Sequence, residues 1–389
     1  MTDDLWREPD DWWMFGLSVP WLSNQESARR GDDPSRSFAD QVLFLRTMAS
    51  RVDQAPLDPS DGDEDRNWRV QLRYWTEGWG GKTLRCALFG AARGRYGAED
   101  LLAHLLGALP RSLPLEQLGQ DDARSMLRMD TPDLRAVEIR RAIRRGDPRA
   151  TRSEVQADGD HLTVPQPPAG ELLRPTGRTV GGADSARVPP ELDPLGVPVE
   201  ERRDLRVVPW IWSANTLEAT LYALVQRQVP TALAVVLSPA RLTQRERDHL
   251  SVGSTRQDLH ASRRDDPLAE TLYKAYRGYS REMRESCVEM HVFLASAGEL
   301  GLWFPKLVGN DLSAGGGEVS GLCVFEAAPV RTRHDQTLVA DAIALRRHGG
   351  LHRSEAGAVA GLADKFPAWE ANVAFRFPVL ANDLFIADW

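Results

Sequence analysis

A chain of 389 residues is long enough for one large core or two smaller ones. Its net charge of −8 excludes a molecule whose whole surface serves nucleic acid and leaves only local basic patches for that role. Three cysteines, Cys86, Cys287 and Cys323, stand far apart without metal-ligand spacing and read as core thiols; with the acidic start and the lack of an apolar run of membrane-spanning length, they predict a cytoplasmic protein.

The first segment, residues 1–30, crowds together Trp6, Trp12, Trp13 and Trp21. Two readings stay open: the rings cover the chain's own core, or they form an arm that docks on another protein, since tryptophan is enriched at interface hot spots. A first lobe follows over residues 31–145. Val42, Leu45, Met48, Ala49 and Val52 recur on one face of a helix. An acidic, turn-rich loop then fills residues 53–66.

Trp68 to Trp75 and Thr83 to Phe89 alternate as a hairpin around the turn TEGWGGK. The GGKT at 80–83 resembles the end of a phosphate-binding loop, but that loop needs an earlier glycine where Thr76 stands, and a helix after the lysine. Lys82 instead enters a strand, so no nucleotide site is assigned. Leu101 to Leu109 reads as a buried helix, with His104 as a core histidine. Leu134 to Arg145 reads as a basic amphipathic helix whose Arg135, Arg140, Arg141, Arg144 and Arg145 face phosphates, an acidic partner, or solvent.

Residues 146–203 turn rich in Pro, Gly, Asp and Arg, and are read as a linker or surface loop that divides the chain. The second lobe, 204–389, opens with a β-α-β unit. Val207 to Trp212 is its first strand, Asn215 caps a helix carrying Leu217, Leu221, Leu224 and Val225, and Thr231 to Leu237 is its second strand, stopped by Pro239. Thr243 and Glu246 form a capping box for another helix. Further helices are read at Leu268 to Met283, Leu300 to Val308, Leu338 to Arg347 and, capped by Ser354, Ala356 to Asp364. Cys287 to Ala295 and Leu322 to Ala327 read as strands. His348 and His352 are separated by two glycines, which denies them the one-turn geometry of a helical metal pair.

Two passages share a plan. LRCALFGAARG with LLAHLLGALP matches VEMHVFLASAG with LGLWFPKLVG: a strand, a turn of small residues, and an apolar helix. The fold class is therefore α+β, with two α/β lobes of mixed or antiparallel sheet, a ferredoxin-like repeat among the plans allowed. In the second lobe, LAVVLSPARLTQRERDHL, VEMHVFLASAG and WEANVAFRFPV come in an order that resembles the amino-terminal, non-ATPase region of HerA/FtsK-like and conjugation-type DNA-translocating ATPases. The likeness covers Leu205 to Pro378 and lacks the family's Walker motifs and arginine finger, so no catalytic residue carries over.

These features predict a non-catalytic accessory subunit of a bacterial complex, in a phage-defence or DNA-mobilisation setting. Its partners would be other proteins, a ring ATPase among them, met through Trp6, Trp12, Trp13 and Trp21. No catalytic, cofactor or metal residue is assigned, and no membrane contact. One alternative is a metal-dependent hydrolase using dispersed carboxylates such as Asp335, Asp341 and Glu355. Another is a nucleic-acid-binding module built on Arg140, Arg141, Arg144 and Arg145.

Overall fold

The computed structural model describes residues 4–19, 22–23, 34–50, 68–77, 84–108, 115–127, 134–145, 205–210, 217–251, 253–254, 267–284, 287–313, 325–347, 349–351, 358–377 and 379–380. An antiparallel sheet of ten strands runs through both expected lobes. Its first half contains β1 (Trp6–Arg7), β2 (Trp12–Ser18), β4 (Trp68–Thr76), β5 (Leu84–Arg93) and β6 (Glu116–Gln117). The second half contains β7 (Arg135–Arg141), β10 (Thr231–Ala240), β11 (Cys287–Ser296), β12 (Phe325–Pro329) and β13 (Lys365–Phe366). The short strands β3 (Leu22–Ser23), β8 (Ile143–Arg145), β9 (Leu205–Val207) and β14 (Val379–Leu380) pair outside it, β14 with β3 and β8 with β9.

Each half is built on one plan. In the first, β2 leads through α1 (Pro34–Ser50) to β4, and β5 returns between them before α2 (Arg95–Ala108) leads to β6; the strands lie in the order β6-β2-β5-β4. In the second, β7 leads to α4 (Glu218–Val225) and β10; β11 returns between β7 and β10, and the helix Trp303–Ser313 leads to β12, giving β12-β7-β11-β10. Both are the split β-α-β of ferredoxin-like folds. The passages alike in sequence are equivalent in space: each is a unit's third strand followed by its second helix.

The units join edge to edge through their second strands. β4 and β10 pair in the register Thr231 with Thr76 through Leu237 with Val70. Alternate residues of these strands therefore feed two continuous layers. One face carries Leu72, Leu88, Leu233, Val235, Val292 and Leu294 against Phe44, Leu101, Leu221 and Phe304 of the four crossover helices. The other carries Phe89, Ala234, Val236 and Phe293 under α3 (Gln120–Leu127) and α8 (Arg333–Ile343), through Ala123, Val339 and Ile343. A third cluster, with Leu250, Tyr276 and Met283, centres on helices inserted between β10 and β11. No described helix is long and apolar enough to cross a membrane.

Several expectations change here. Residues 135–141 form a strand, not a basic helix. Their arginines and isoleucines mimic helical spacing because both faces of β7 are covered and the period of two is hidden. The division between units consequently falls before β7, and residues 146–203, outside the described residues, are inserted within the second unit. Val207 to Trp212 is not a strand of the main sheet: β9 stops at Val207, and the strand before α4 in that sheet is β7. Pro239 does not stop β10, which continues to Ala240 and pairs Pro239 with Val288.

Close approach fixes the first unit's packing at Gly90 on β5, where an added Cβ would stand 2.1 Å from the Phe15 ring. Phe15 is fully buried and has no free space to enter. Gly90→Ala is expected to cost about 1–3 kcal/mol, read as a lower urea midpoint with unchanged slope; an unchanged midpoint would refute this packing.

Candidate functional site

On the sheet face beneath α8, Glu138 of β7 and His291 and Glu289 of β11 form a row. His291 Nδ1 lies 2.8 Å from Glu138 Oε1 and Nε2 lies 2.9 Å from Glu289 Oε1. Burial pushes the Glu138 carboxyl up, but the hydrogen bond and charge of His291, the Arg140 charge and the Leu351 amide together hold it below the ordinary carboxylate range. Burial likewise disfavours the imidazolium, yet the hydrogen bonds to Glu138 and Glu289 raise His291 to about 10. The ring is thus a cation clamped between two anions.

This cluster holds the chain rather than a ligand. The Leu351 amide donates to Glu138 Oε2 at 2.8 Å, and Arg140 Nη1 donates to the Leu351 carbonyl at 3.3 Å. Gly350 lies so close that a Cβ there would stand 2.1 Å from Glu138 Oε1. The two carboxylates take opposite ring nitrogens, so their oxygens do not converge on a common point. Among the described residues no group of three or more His, Cys, Asp or Glu side chains is arranged to hold a metal ion.

Three further polar side chains on the same face, from β4, do similar work. Gln71 and Arg73 donate to the Ile343 carbonyl, each at 2.8 Å, and Arg69 donates to the Leu345 carbonyl at 3.0 Å. Arg73 also donates to the Met126 carbonyl at the end of α3. Burial pulls Arg73 down to about 9, which leaves it protonated at neutral pH and well placed against the negative ends of two helices.

Arg141, on the other face of β7, is fully buried. It pairs with Glu370 at 3.0 Å, accompanies the Tyr279 hydroxyl at 3.0 Å, and donates to the carbonyls of Leu362, Ala363 and Lys365 at the end of α9 (Ala358–Asp364). The Trp210 amide also donates to Glu370 Oε1, at 2.8 Å. Arg141 cannot reach a phosphate from there. Arg140 is largely covered and pairs with Glu326 at 3.4 Å, while the side chains of Arg144 and Arg145 lie outside the described residues.

The expected tryptophan arm is part of the sheet. Trp6 is buried on β1; Trp12 and Trp13 on β2 are half-buried, with Arg69 4.0 Å from the Trp12 ring and Arg95 5.6 Å from that of Trp13. Trp21 lies outside the described residues, as do Lys82, Glu355, His348 and His352. The chain beyond Lys82 is strand β5, from Leu84, so the helix that a phosphate loop requires is not there. Cys86 and Cys287 are buried thiols, with burial pushing Cys86 well up and Cys287 to about 12; Cys323 is not among the described residues.

Exposed apolar surface lies elsewhere. Leu302 is 81% exposed and Trp303 58% exposed, side by side where the chain enters the helix Trp303–Ser313, called α7 here. Phe304, Val308 and Leu312 turn toward the sheet at helical spacing, leaving Trp303 a quarter-turn away. Gly301, at φ +65°, makes the left-handed turn that sets this start. Arg227, beyond the end of α4, secures it: its guanidinium donates to the Glu299 carbonyl at 2.6 Å and lies 5.3 Å from the Phe304 ring centroid. Tyr222, on the α4 helix that packs against α7, is also exposed. Sequence reading missed Trp303 because LGLWFP is apolar throughout; the phase set by Phe304 and Val308 is the signal that separates it.

Comparison with known protein families and with curated proteins returns no match.

The clamp makes a two-sided prediction. Glu138, depressed in the fold, contributes stability that is present above the ordinary carboxylate range and is lost as pH falls through its lowered value. His291, raised, contributes stability fully present below the ordinary imidazole range and lost as pH rises through about 10. His291→Ala is expected to cost about 3–5 kcal/mol at neutral pH, because it leaves buried carboxylates unpaired. Urea midpoints measured between about pH 4 and about pH 10 should stay level in the wild type up to the ordinary imidazole range and decline above it, and the variant should lose that alkaline decline. Equal midpoints at neutral pH would show that the row is not a clamp.

Proposed function

We propose that the chain is an accessory subunit, a rigid double-unit scaffold that docks on another protein through Leu302 and Trp303. The observation that carries this reading is the exposed Leu302–Trp303 step on an anchored helix start, because large apolar side chains are otherwise almost all buried among the described residues. A tryptophan held out on a fixed backbone loses little entropy on binding and brings a large contact area. The buried Glu138, His291 and Arg141 clusters support the scaffold role, since their polar atoms bind the chain's own backbone and side chains.

The resemblance in residues 205–378 suggests the class of partner: a separately encoded, ring-forming DNA translocase or a related effector, in bacterial phage defence or DNA mobilisation. A hydrolytic role draws less support. Asp335 is engaged in capping its own helix, accepting from the Thr332 amide at 3.0 Å, and Asp341 has no metal-ligand group around it among the described residues. The basic module expected at 135–145 loses Arg141 to the core.

Leu302→Ser with Trp303→Ser should leave the unfolding free energy within about 1 kcal/mol of the wild type, since both side chains are exposed. Co-expression with the products of neighbouring genes, followed by affinity capture of the tagged chain, should retain a translocase subunit with the wild type and lose it with the double variant. Retention by both proteins would move the docking surface elsewhere; a wild type that captures no neighbour would overturn the accessory role.

A further inference from the structure

The second unit carries an addition that the first lacks. Between β4 and β5 the first unit has only the short stretch 77–83, whereas between β10 and β11 the second has inserted helices, α5 (244–251) and α6 (Pro267–Glu282). The α6 helix buries Leu272, Ala275, Tyr276 and Tyr279, and Met283 just after it, in a cluster shared with Ile143, Val207 and Leu362. Its opposite face exposes Lys274, Arg277 and Arg281, with Arg284 in the turn that follows. Intervals of three and four residues align Lys274, Arg277 and Arg281 in one stripe, about 10 Å long at 1.5 Å per residue, and Arg284 follows it in the turn.

We propose that this stripe binds the phosphate backbone of a nucleic acid. The local charge is opposite to that of the chain as a whole, which carries −8. Glu282, beside the stripe, is shared by two cations: Arg281 at 3.0 Å and Arg46 of α1 at 3.7 Å, the latter adding a fifth positive group. Glu270 stands one turn before Lys274. Three of these four cations, Arg284 included, are arginines, whose planar guanidinium forks suit phosphate oxygens. Arg277 is steadied by the Tyr273 hydroxyl at 3.3 Å.

An acidic protein partner fits less well. Protein interfaces depend on buried aromatic or apolar anchors, and among the described residues the exposed large hydrophobic ones, Leu43, Tyr96, Tyr222, Leu302 and Trp303, all lie on other helices or at their starts. A linear row of cations without an apolar centre matches a linear polyanion. Binding would therefore be insensitive to base sequence and strongly dependent on salt.

The full-length chain would be titrated into fluorescein-labelled duplex DNA, single-stranded DNA and single-stranded RNA, with anisotropy read between about 50 and about 300 mM KCl. Expected is affinity falling with salt at a log–log slope of about −0.9 for each duplex phosphate contacted, and about −0.7 for single strands. The three strand types identify which backbone is preferred. The variant R277E/R281E/R284E should lose at least about tenfold in affinity and flatten the slope by about 2–3, whereas R277K/R281K/R284K should retain most of both. Circular dichroism and thermal midpoints would establish that both variants are folded; if the charge-reversal variant is not, R277Q/R281Q/R284Q takes its place.

Three results would overturn the proposal: no salt-dependent binding by the wild type, binding unchanged by the reversal, or binding to a poly-glutamate peptide in preference to every nucleic acid. The L302S/W303S protein should bind nucleic acid like the wild type, so failure of the stripe and failure of the protein-docking surface give different patterns.

Discussion

The structure depends on how residues 343–351 are laid across one face of the sheet. Backbone on a sheet face has polar groups that need partners, and the sheet supplies them from side chains rather than from its ladder. Gln71, Arg73 and Arg69 of the first unit take the carbonyls at the end of α8; Glu138 and Arg140 of the second unit take the amide and carbonyl of Leu351. One segment is thus tied to both units. The clamp on His291 makes this possible, because Glu138 can present one oxygen to Leu351 only while its other oxygen is held by a cation.

The opposite face is closed by residues 375–377. Phe375 and Phe377 pack with Phe44 of α1 at ring separations of 6.2 and 5.9 Å, the Tyr74 hydroxyl donates to the Arg376 carbonyl, and Gln41 accepts from the Phe377 amide at 3.1 Å. The seam between β4 and β10 therefore does not rely on the strand ladder alone. A ferredoxin-like sheet with one open face can receive a single strand of RNA on aromatic side chains. Here that face lies under α3, α8 and the segment after α8, so it is not open to a strand laid across it.

Much of this was legible in the sequence, and the parts that were not share a cause. The hairpin at Trp68 to Phe89, the strand at Cys287, the capping box at Thr243 and Glu246, and the likeness between the two strand-turn-helix passages all reappear, because each is a local signal that tertiary structure reinforces. Residues 135–141 misled because a central strand with covered faces loses its alternation, and because its charges, Glu138, Arg140 and Arg141, are matched by partners more than 150 residues away. The division between units was misplaced for the same reason: β7 belongs with strands that follow a long insertion. The tryptophan arm misled differently. Composition shows how many rings there are, but only the pairing of β1, β2 and β5 shows that Trp6 is inside.

The two units share a plan but not an inventory, and the differences show where function has been added. A repeat that only needed to fold would keep both turns between the second and third strands short, as the first unit does. The second unit instead bears a helical insertion with a cationic outer face, tied to β13 of the sheet by a buried pair, Lys365 with Glu246 at 2.7 Å, and to β9 by the Val207 amide, which donates to the Tyr276 hydroxyl at 2.8 Å. It also presents Leu302 and Trp303, where the corresponding turn of the first unit presents Tyr96. An ion pair with little access to water costs desolvation energy, and it is kept here at the joint where the insertion meets β13. That placement fixes the orientation of the α6 face relative to the sheet, which a surface meant to meet a partner requires and a solvated loop does not.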